Sequence, residues 1–151
     1  MSIAAAIVSQ EPLAPALHLK GRDAGGLKRL CREQIHAPAV AALAALLAVQ
    51  VAPSDAEAHL LHGLALARGK QFAGAAEALR CSLTIDDTSI PAWTSLGEVL
   101  LEALDYRAAK VAFEQVMRLD PHALDPYGRR ARVVVAKTLQ RLKKATPGSP
   151  S

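Results

Sequence analysis

The sequence predicts an all-α fold built from helical hairpins, and three observations lead to this prediction. The 151 residues are 51% apolar but only 3% aromatic, and the dominant residue is alanine, the best helix former. Aromatic residues, which favour strands, are correspondingly scarce. A shift of 34 residues brings two stretches of the chain into register without a gap, and both carry apolar residues at helical spacing.

The two copies of this repeat are residues 56–87 and 90–121. The overlay pairs residues of similar kind: Gly63 with Gly97, Leu66 with Leu100, Phe72 with Tyr106, Ala75 with Ala109, Leu79 with Phe113, and Asp86 with Asp120. In the second copy two apolar stripes lie on either side of a short turn, the first made of Trp93, Leu96, Gly97, Leu100 and Leu104, the second of Ala109, Phe113, Val116 and Leu119. We expect Gly97 at the crossing of the two helices, near Ala109.

Further helices are expected on both sides of the two copies. Upstream, "LKRLCREQIH" and "PAVAALAALLAVQVAP" predict a third, more degenerate hairpin, with Asp23 as an N-cap. Downstream, "DPYGRRARVVVAKTLQRLKK" predicts one helix whose stripe covers the last hairpin through Ala131, Val134, Val135, Thr138, Leu139 and Leu142. The predicted organisation is a flexible extension (1–23), a repeat domain (24–144) and a disordered tail (145–151). Within the domain we expect hairpins at about 24–53, 56–87 and 90–121 and a capping helix at 125–144.

Residues 90–121 resemble the tetratricopeptide repeat (TPR), whose 34-residue signature they match at Trp93, Leu96, Gly97, Ala109, Phe113 and Pro121. The copy at 56–87 matches less completely, and the resemblance extends over about 24–144. It implies a right-handed superhelical array of hairpins that ends in a capping helix. The first helix of each hairpin is then expected to line a concave groove that holds a peptide or helix of another protein.

The resemblance places ten residues in this groove: Leu30, Glu33, Leu60, Leu64, Ala67, Thr94, Glu98, Leu101, Arg129 and Arg132. Leu60 and Leu64 lie outside the core stripe and one turn apart, which suggests an apolar anchor for the ligand. Alternatively, the N-terminal segment 3–19 folds back and covers them. A carboxylate clamp is not expected, because Leu60, Leu64 and Ser95 stand where that subgroup has lysine and asparagine.

The chain also resembles, more narrowly, the TPR-type chaperones that serve type III secretion translocators. The likeness rests on three hairpins, a closing helix and an N-terminal extension in a chain of 151 residues. It implies a cytoplasmic chaperone that holds an extended, apolar segment of its cargo. An adaptor in a bacterial assembly machine is the other interaction function that we consider.

Nothing in the sequence predicts catalysis, a metal or a cofactor. In "HLLHG", His59 and His62 stand one helical turn apart, but the other histidines (His18, His36 and His122) are not paired with a further ligand at metal spacing. We expect His59 and His62 to fill space while bonding a backbone carbonyl or water. Cys31 and Cys81 are far apart and are interpreted as free thiols of a reducing cytoplasm.

The net charge of +4 is unevenly distributed, because seven Lys and Arg and no acid lie between Tyr127 and Lys144. This segment supports an alternative function, the binding of nucleic acid or an anionic surface. We favour a solvated outer face of the capping helix, since aromatic residues for base stacking are nearly absent. The expected partner is another protein, with a homodimer as an alternative, rather than nucleic acid or a membrane.

Overall fold

The computed structural model describes residues 23–145, and within this range it contains seven α-helices and no strand. The predicted extension and tail lie outside this range, except for Asp23 and Ala145. The helices are α1 (Ala24–Glu33), α2 (Pro38–Val51), α3 (Ala56–Arg68), α4 (Phe72–Ile85), α5 (Ile90–Glu102), α6 (Tyr106–Leu119) and α7 (Pro126–Ala145). The predicted all-α fold of helical hairpins is confirmed.

The described helices belong to two compact units, one that ends at Asp87 and one that begins at Thr88. The first unit contains the hairpins α1–α2 and α3–α4, and α2 also packs against α3. The second unit contains the hairpin α5–α6 and the helix α7, which packs against both members of that hairpin.

Short polar side chains begin most of the helices. Asp23 accepts a hydrogen bond from the Gly26 N–H at 3.0 Å, so its prediction as an N-cap is confirmed. Asp55, Ser89 and Asp105 each accept from a backbone N–H in the first turn of the helix that follows. These caps satisfy N–H groups that have no partner within the helix.

The turns inside the two matching hairpins share a left-handed residue and a backbone hydrogen bond. Lys70 and Leu104, 34 positions apart, both have left-handed φ angles, of 60° and 62°. The next residue in each turn, Gln71 or Asp105, donates its N–H to the carbonyl five positions earlier, both at 2.9 Å. Leu104, predicted as the end of the core stripe, is therefore a turn residue that is 70% exposed, because α5 ends two residues before it.

Alanine supplies much of the core of the first unit. On α2 the buried residues are Val40, Ala41, Ala44, Ala45 and Ala48, and on α1 they are Leu27 and Cys31. Such small side chains let neighbouring helix backbones approach closely while the interior stays close-packed. The abundance of alanine in the sequence thus corresponds to its share of this core.

A glycine occupies the closest approach of each matching hairpin. A Cβ atom built on Gly63 would lie 2.6 Å from Cγ of Leu79, and one built on Gly97 would lie 2.7 Å from the ring of Phe113. At Gly63 the carbonyl oxygen of Ala75, the counterpart of the predicted Ala109, also lies within 3.2 Å of such a Cβ atom. Leu79 and Phe113 are themselves 34 residues apart, so in both hairpins a large apolar side chain of the second helix packs against a glycine of the first.

The last helix is anchored at its beginning. Ala131 is fully buried, and the buried carboxylate of Asp120 accepts from the N–H groups of Leu124 (2.8 Å) and Asp125 (3.1 Å). Gly128 lies against this carboxylate so closely that a Cβ atom would collide with it. The carboxylate of Asp120 thus connects the turn before α7 to the first turn of α7.

The second half of α7 does not cover the hairpin as predicted. Leu139 and Leu142 are 53% and 44% exposed, whereas Val134, Val135 and Thr138 are half-buried. The reason is length: the 20 residues of α7 span about 30 Å, while the 13 residues of α5 span only about 20 Å. The last turns of α7 therefore have less of the hairpin to pack against.

We predict that Gly97→Ala lowers the free energy of unfolding. The added methyl group would meet the Phe113 ring, and such overpacking costs about 1–3 kcal/mol, more than the gain of about 1 kcal/mol in helix propensity. Urea unfolding followed by circular dichroism measures the change. The matched control is Gly74→Ala on α4, where the nearest atom lies at an ordinary 3.5 Å, so that this substitution should stabilise the protein. Equal effects of the two substitutions would contradict the close approach.

Candidate partner-binding surfaces

In the first unit, the predicted groove residues lie on α1 and α3, which pack against each other. Leu30 and Leu64 are half-buried and pack against the same core cluster. Leu60 and Ala67 are half-buried, and Glu33 is exposed. The first unit therefore presents partly open apolar side chains on its two first helices, with Leu60 and Leu64 one turn apart on α3.

Ion pairs fasten α1 to the start of α3. The Lys28 ammonium lies 2.7 Å from a carboxylate oxygen of Asp55 and 2.8 Å from one of Glu57, and Arg32 also pairs with Glu57. No pattern in the sequence predicts this cluster, because its members are 25 to 29 positions apart and belong to no motif. These ion pairs connect the two helices that carry the leucines.

The two histidines of "HLLHG" play different structural parts. His59 Nε2 lies 2.8 Å from the carbonyl oxygen of Pro53, so the expected bond to a backbone carbonyl is confirmed for this residue. His62 is half-buried, and its pKa is lowered by burial and, secondarily, by the neighbouring charge of His59. Within residues 23–145 no group of three His, Cys, Asp or Glu is placed to hold a metal ion.

The thiol of Cys31 is inside the first unit. Its Sγ points to the carbonyl of Leu61 at 3.9 Å, and burial raises its pKa to about 11, only partly opposed by the charge of Arg32. Cys81 is a free thiol as well, but an exposed one. Because the thiolate is the reactive form of cysteine, Cys31 is held in its unreactive state.

In the second unit, Thr94 does not lie on an open surface. Although we placed it in the groove, its side chain is fully buried and its hydroxyl donates to the Tyr127 carbonyl at 3.4 Å. The cause is the packing of α7 against α5, which covers this position. Leu101, by contrast, is half-buried.

Glu98 faces an arginine of the last helix. Its carboxylate accepts two hydrogen bonds from Arg130, at 2.6 and 2.8 Å. Desolvation raises the pKa of Glu98, and the charge and hydrogen bonds of Arg130 partly oppose this shift. We had predicted Glu98 as a groove residue and not Arg130, although the two side chains form a single bidentate pair.

The two predicted arginines of α7 bind the turn that precedes it. Arg129 donates to the carbonyl oxygens of Ala123 and Leu124, at 3.3 and 2.9 Å. Arg132 donates to those of Asp120 and Pro121, at 2.8 and 3.0 Å. Their guanidinium groups are thus engaged within the chain, where we had expected them to extend the binding surface.

The similarities to known proteins lie at the level of structure. No family model matches the chain, and no curated protein matches it. The TPR domain of Sgt2 from Aspergillus fumigatus superimposes with a TM-score of 0.73 at 19% identity, over 85% of this chain and 87% of that one. The first TPR domain of human RPAP3 gives 0.69 at 16% identity, over 82% and 97%. The chain has the TPR fold.

Within the TPR fold, the first helices of the two matching hairpins are α3 and α5. The predicted resemblance to TPR proteins is confirmed at this level. At the signature positions for tryptophan and leucine, α5 carries Trp93 and Leu96 whereas α3 carries His59 and His62. No helix among the described residues is long and apolar enough to cross a bilayer.

We predict that His62 makes stability depend on pH. Its folded pKa lies below its usual value of 6.5, so the unfolded chain binds more protons below that value, and stability is lost as pH falls through the lowered pKa. His62→Leu, which copies the equivalent Leu96, should remove this loss. The free energy of unfolding is measured by urea unfolding at a series of pH values from about 4 to about 8, a range that lies on both sides of the ordinary pKa of histidine. The control is His36→Gln at an exposed site, and an equal change in both variants would rule out the role of His62.

Proposed function

We propose that this chain is a non-catalytic protein-binding module that holds an apolar peptide or helix of a partner against the first helices of its hairpins. The observation that carries the proposal is the pair Leu60 and Leu64, half-buried one turn apart on α3. Leucines at this spacing suit a partner that inserts apolar side chains between them. The TPR fold supports the proposal, since the resemblance to TPR proteins implies a ligand groove lined by the first helices.

The apolar side chains of the first unit stand on two helices that ion pairs connect. Leu30 on α1 and Leu64 on α3 rest on the core of the first unit, so they are held in place before a ligand arrives. Preorganised side chains lose little conformational freedom on binding. The ion pair between Lys28 and Glu57 connects the two helices that carry this patch. A ligand with an apolar stripe is the chemistry that fits.

In the second unit, we propose fewer contact residues than the sequence predicts. Leu101 is half-buried and is retained as an apolar contact. Glu98 is half-buried as well, but a ligand would meet it already paired with Arg130. Thr94, Arg129 and Arg132 are left out as direct contacts, because each is committed to packing or to hydrogen bonds inside the unit.

A narrower form of the proposal is that the module serves as a secretion-type chaperone or as an assembly adaptor. It rests on the resemblance to the chaperones of type III translocators and on the three hairpins followed by a helix in residues 23–145. The identity of the captured partner separates the two: a secreted protein with an apolar segment supports the chaperone, and a subunit of a stable complex supports the adaptor.

We predict that Leu60→Asp weakens partner capture at least about tenfold. The substitution removes an apolar anchor, and it would bury a carboxylate without a counter-charge in the contact with the partner. The full chain serves as bait in native lysate at high salt, and mass spectrometry quantifies the partner. The matched control is Leu46→Asp on α2, a leucine that is 40% exposed on a second helix of a hairpin. Far-UV circular dichroism verifies that both variants keep their helix content. Undiminished capture by Leu60→Asp, or an equal loss with Leu46→Asp, would refute the assigned surface.

A further inference from the structure

The final turns of α7 carry positive charges that face no ion-pair partner in the part of the chain that the structure describes. Lys137, Arg141, Lys143 and Lys144 are all exposed, and none of the ion pairs found within residues 23–145 includes them. The three arginines at the start of the helix, in contrast, bind Glu98 or backbone carbonyls. Because α7 contains no acidic residue, every charged side chain on this helix is positive.

Apolar surface accompanies this charge. Leu139 is 53% exposed and Leu142 is 44% exposed, and they are separated by a single helical turn. Leu139 follows Lys137 by two residues and Leu142 precedes Lys143 and Lys144. The flexible stems of lysine and arginine can extend beside such leucines while their charged ends reach away from them. The segment 137–145 is thus a short helical end that combines leucines with cations.

From this combination, we propose that the segment 137–145 of α7 docks on an anionic membrane surface. Cations near such a surface are attracted to its acidic headgroups, and leucines on the same helical segment can enter the boundary between headgroups and acyl chains. The interaction is reversible, because two leucines and four charges form a small contact. It lies on a different helix from the leucines proposed to bind a protein partner.

The exposed leucines favour a lipid surface over the other anionic ligands. The phosphates of nucleic acid would bind the cations but would not contact the leucines. Bases stack on aromatic side chains, and the one aromatic residue of α7, Tyr127, is at the opposite end of the helix. A helical protein partner would need apolar anchors over more turns than the two leucines provide. The lipid surface uses both features within the same two turns.

The test is co-sedimentation of the full chain with vesicles of phosphatidylcholine alone and of phosphatidylcholine mixed with phosphatidylserine. We expect binding to the mixed vesicles only, and a decrease in this binding with rising salt. Substituting Lys137, Arg141, Lys143 and Lys144 together by Gln should lower the partition coefficient at least roughly hundredfold. The double substitution Leu139→Ser and Leu142→Ser should lower it severalfold while the net charge is unchanged.

The matched control removes four exposed cations elsewhere, at Arg68, Arg80, Arg107 and Lys110, and should bind as the unchanged chain does. An equal loss in this control would overturn the proposal, because the effect would then follow net charge alone. Failure to bind the mixed vesicles at low salt would also overturn it. So would full binding by the leucine variant, or retention of fluorescent duplex DNA or RNA in place of vesicles. All substituted side chains are exposed, and far-UV circular dichroism verifies that the variants are folded.

Discussion

The close approach of paired helices at Gly63 and Gly97 is the constraint on which both matching hairpins depend. A methyl group at either position would enter the space of Leu79 or Phe113. A glycine inside a helix costs roughly 1 kcal/mol relative to alanine, and here the packing of a large apolar side chain against its backbone offsets that cost. The contact of Gly63 with Leu79 recurs 34 residues later as the contact of Gly97 with Phe113, so the two hairpins pack alike at this point.

This constraint also explains how the first helices come to carry the candidate surface. On α3, Ala58, Leu61 and Ala65 belong to the core cluster of the first unit, and Gly63 packs against Leu79 of α4 on a different side of the helix. The helical position of Leu60 and Leu64 falls between these two sides, and both are half-buried. Leu60 and Leu64 are held there by the helix rather than by a loop. A surface on a rigid helix keeps its geometry when a ligand binds, as the proposed function requires.

Electrostatics orients these helices more than it stabilises them. The pairs around Glu57 and the pair between Glu98 and Arg130 are partly exposed to solvent, and such pairs contribute about 0–1 kcal/mol each. Their directionality matters more, because bidentate hydrogen bonds define one relative position of two helices. The exposed cations at the end of α7 form no such ion pair within residues 23–145.

The sequence alone determined the helices, the register of the repeat, the N-cap at Asp23 and the small residues at the helix crossings, because each depends on local spacing or on side-chain size. Only the tertiary structure decided which polar groups are satisfied inside the chain. Thr94, Arg129 and Arg132 were assigned to the binding surface by position in the repeat, yet a neighbouring helix or turn buries or engages each of them. The exposure of Leu139 could not be predicted from the sequence either, because the spacing of apolar residues on one helix does not determine how far the neighbouring helices extend.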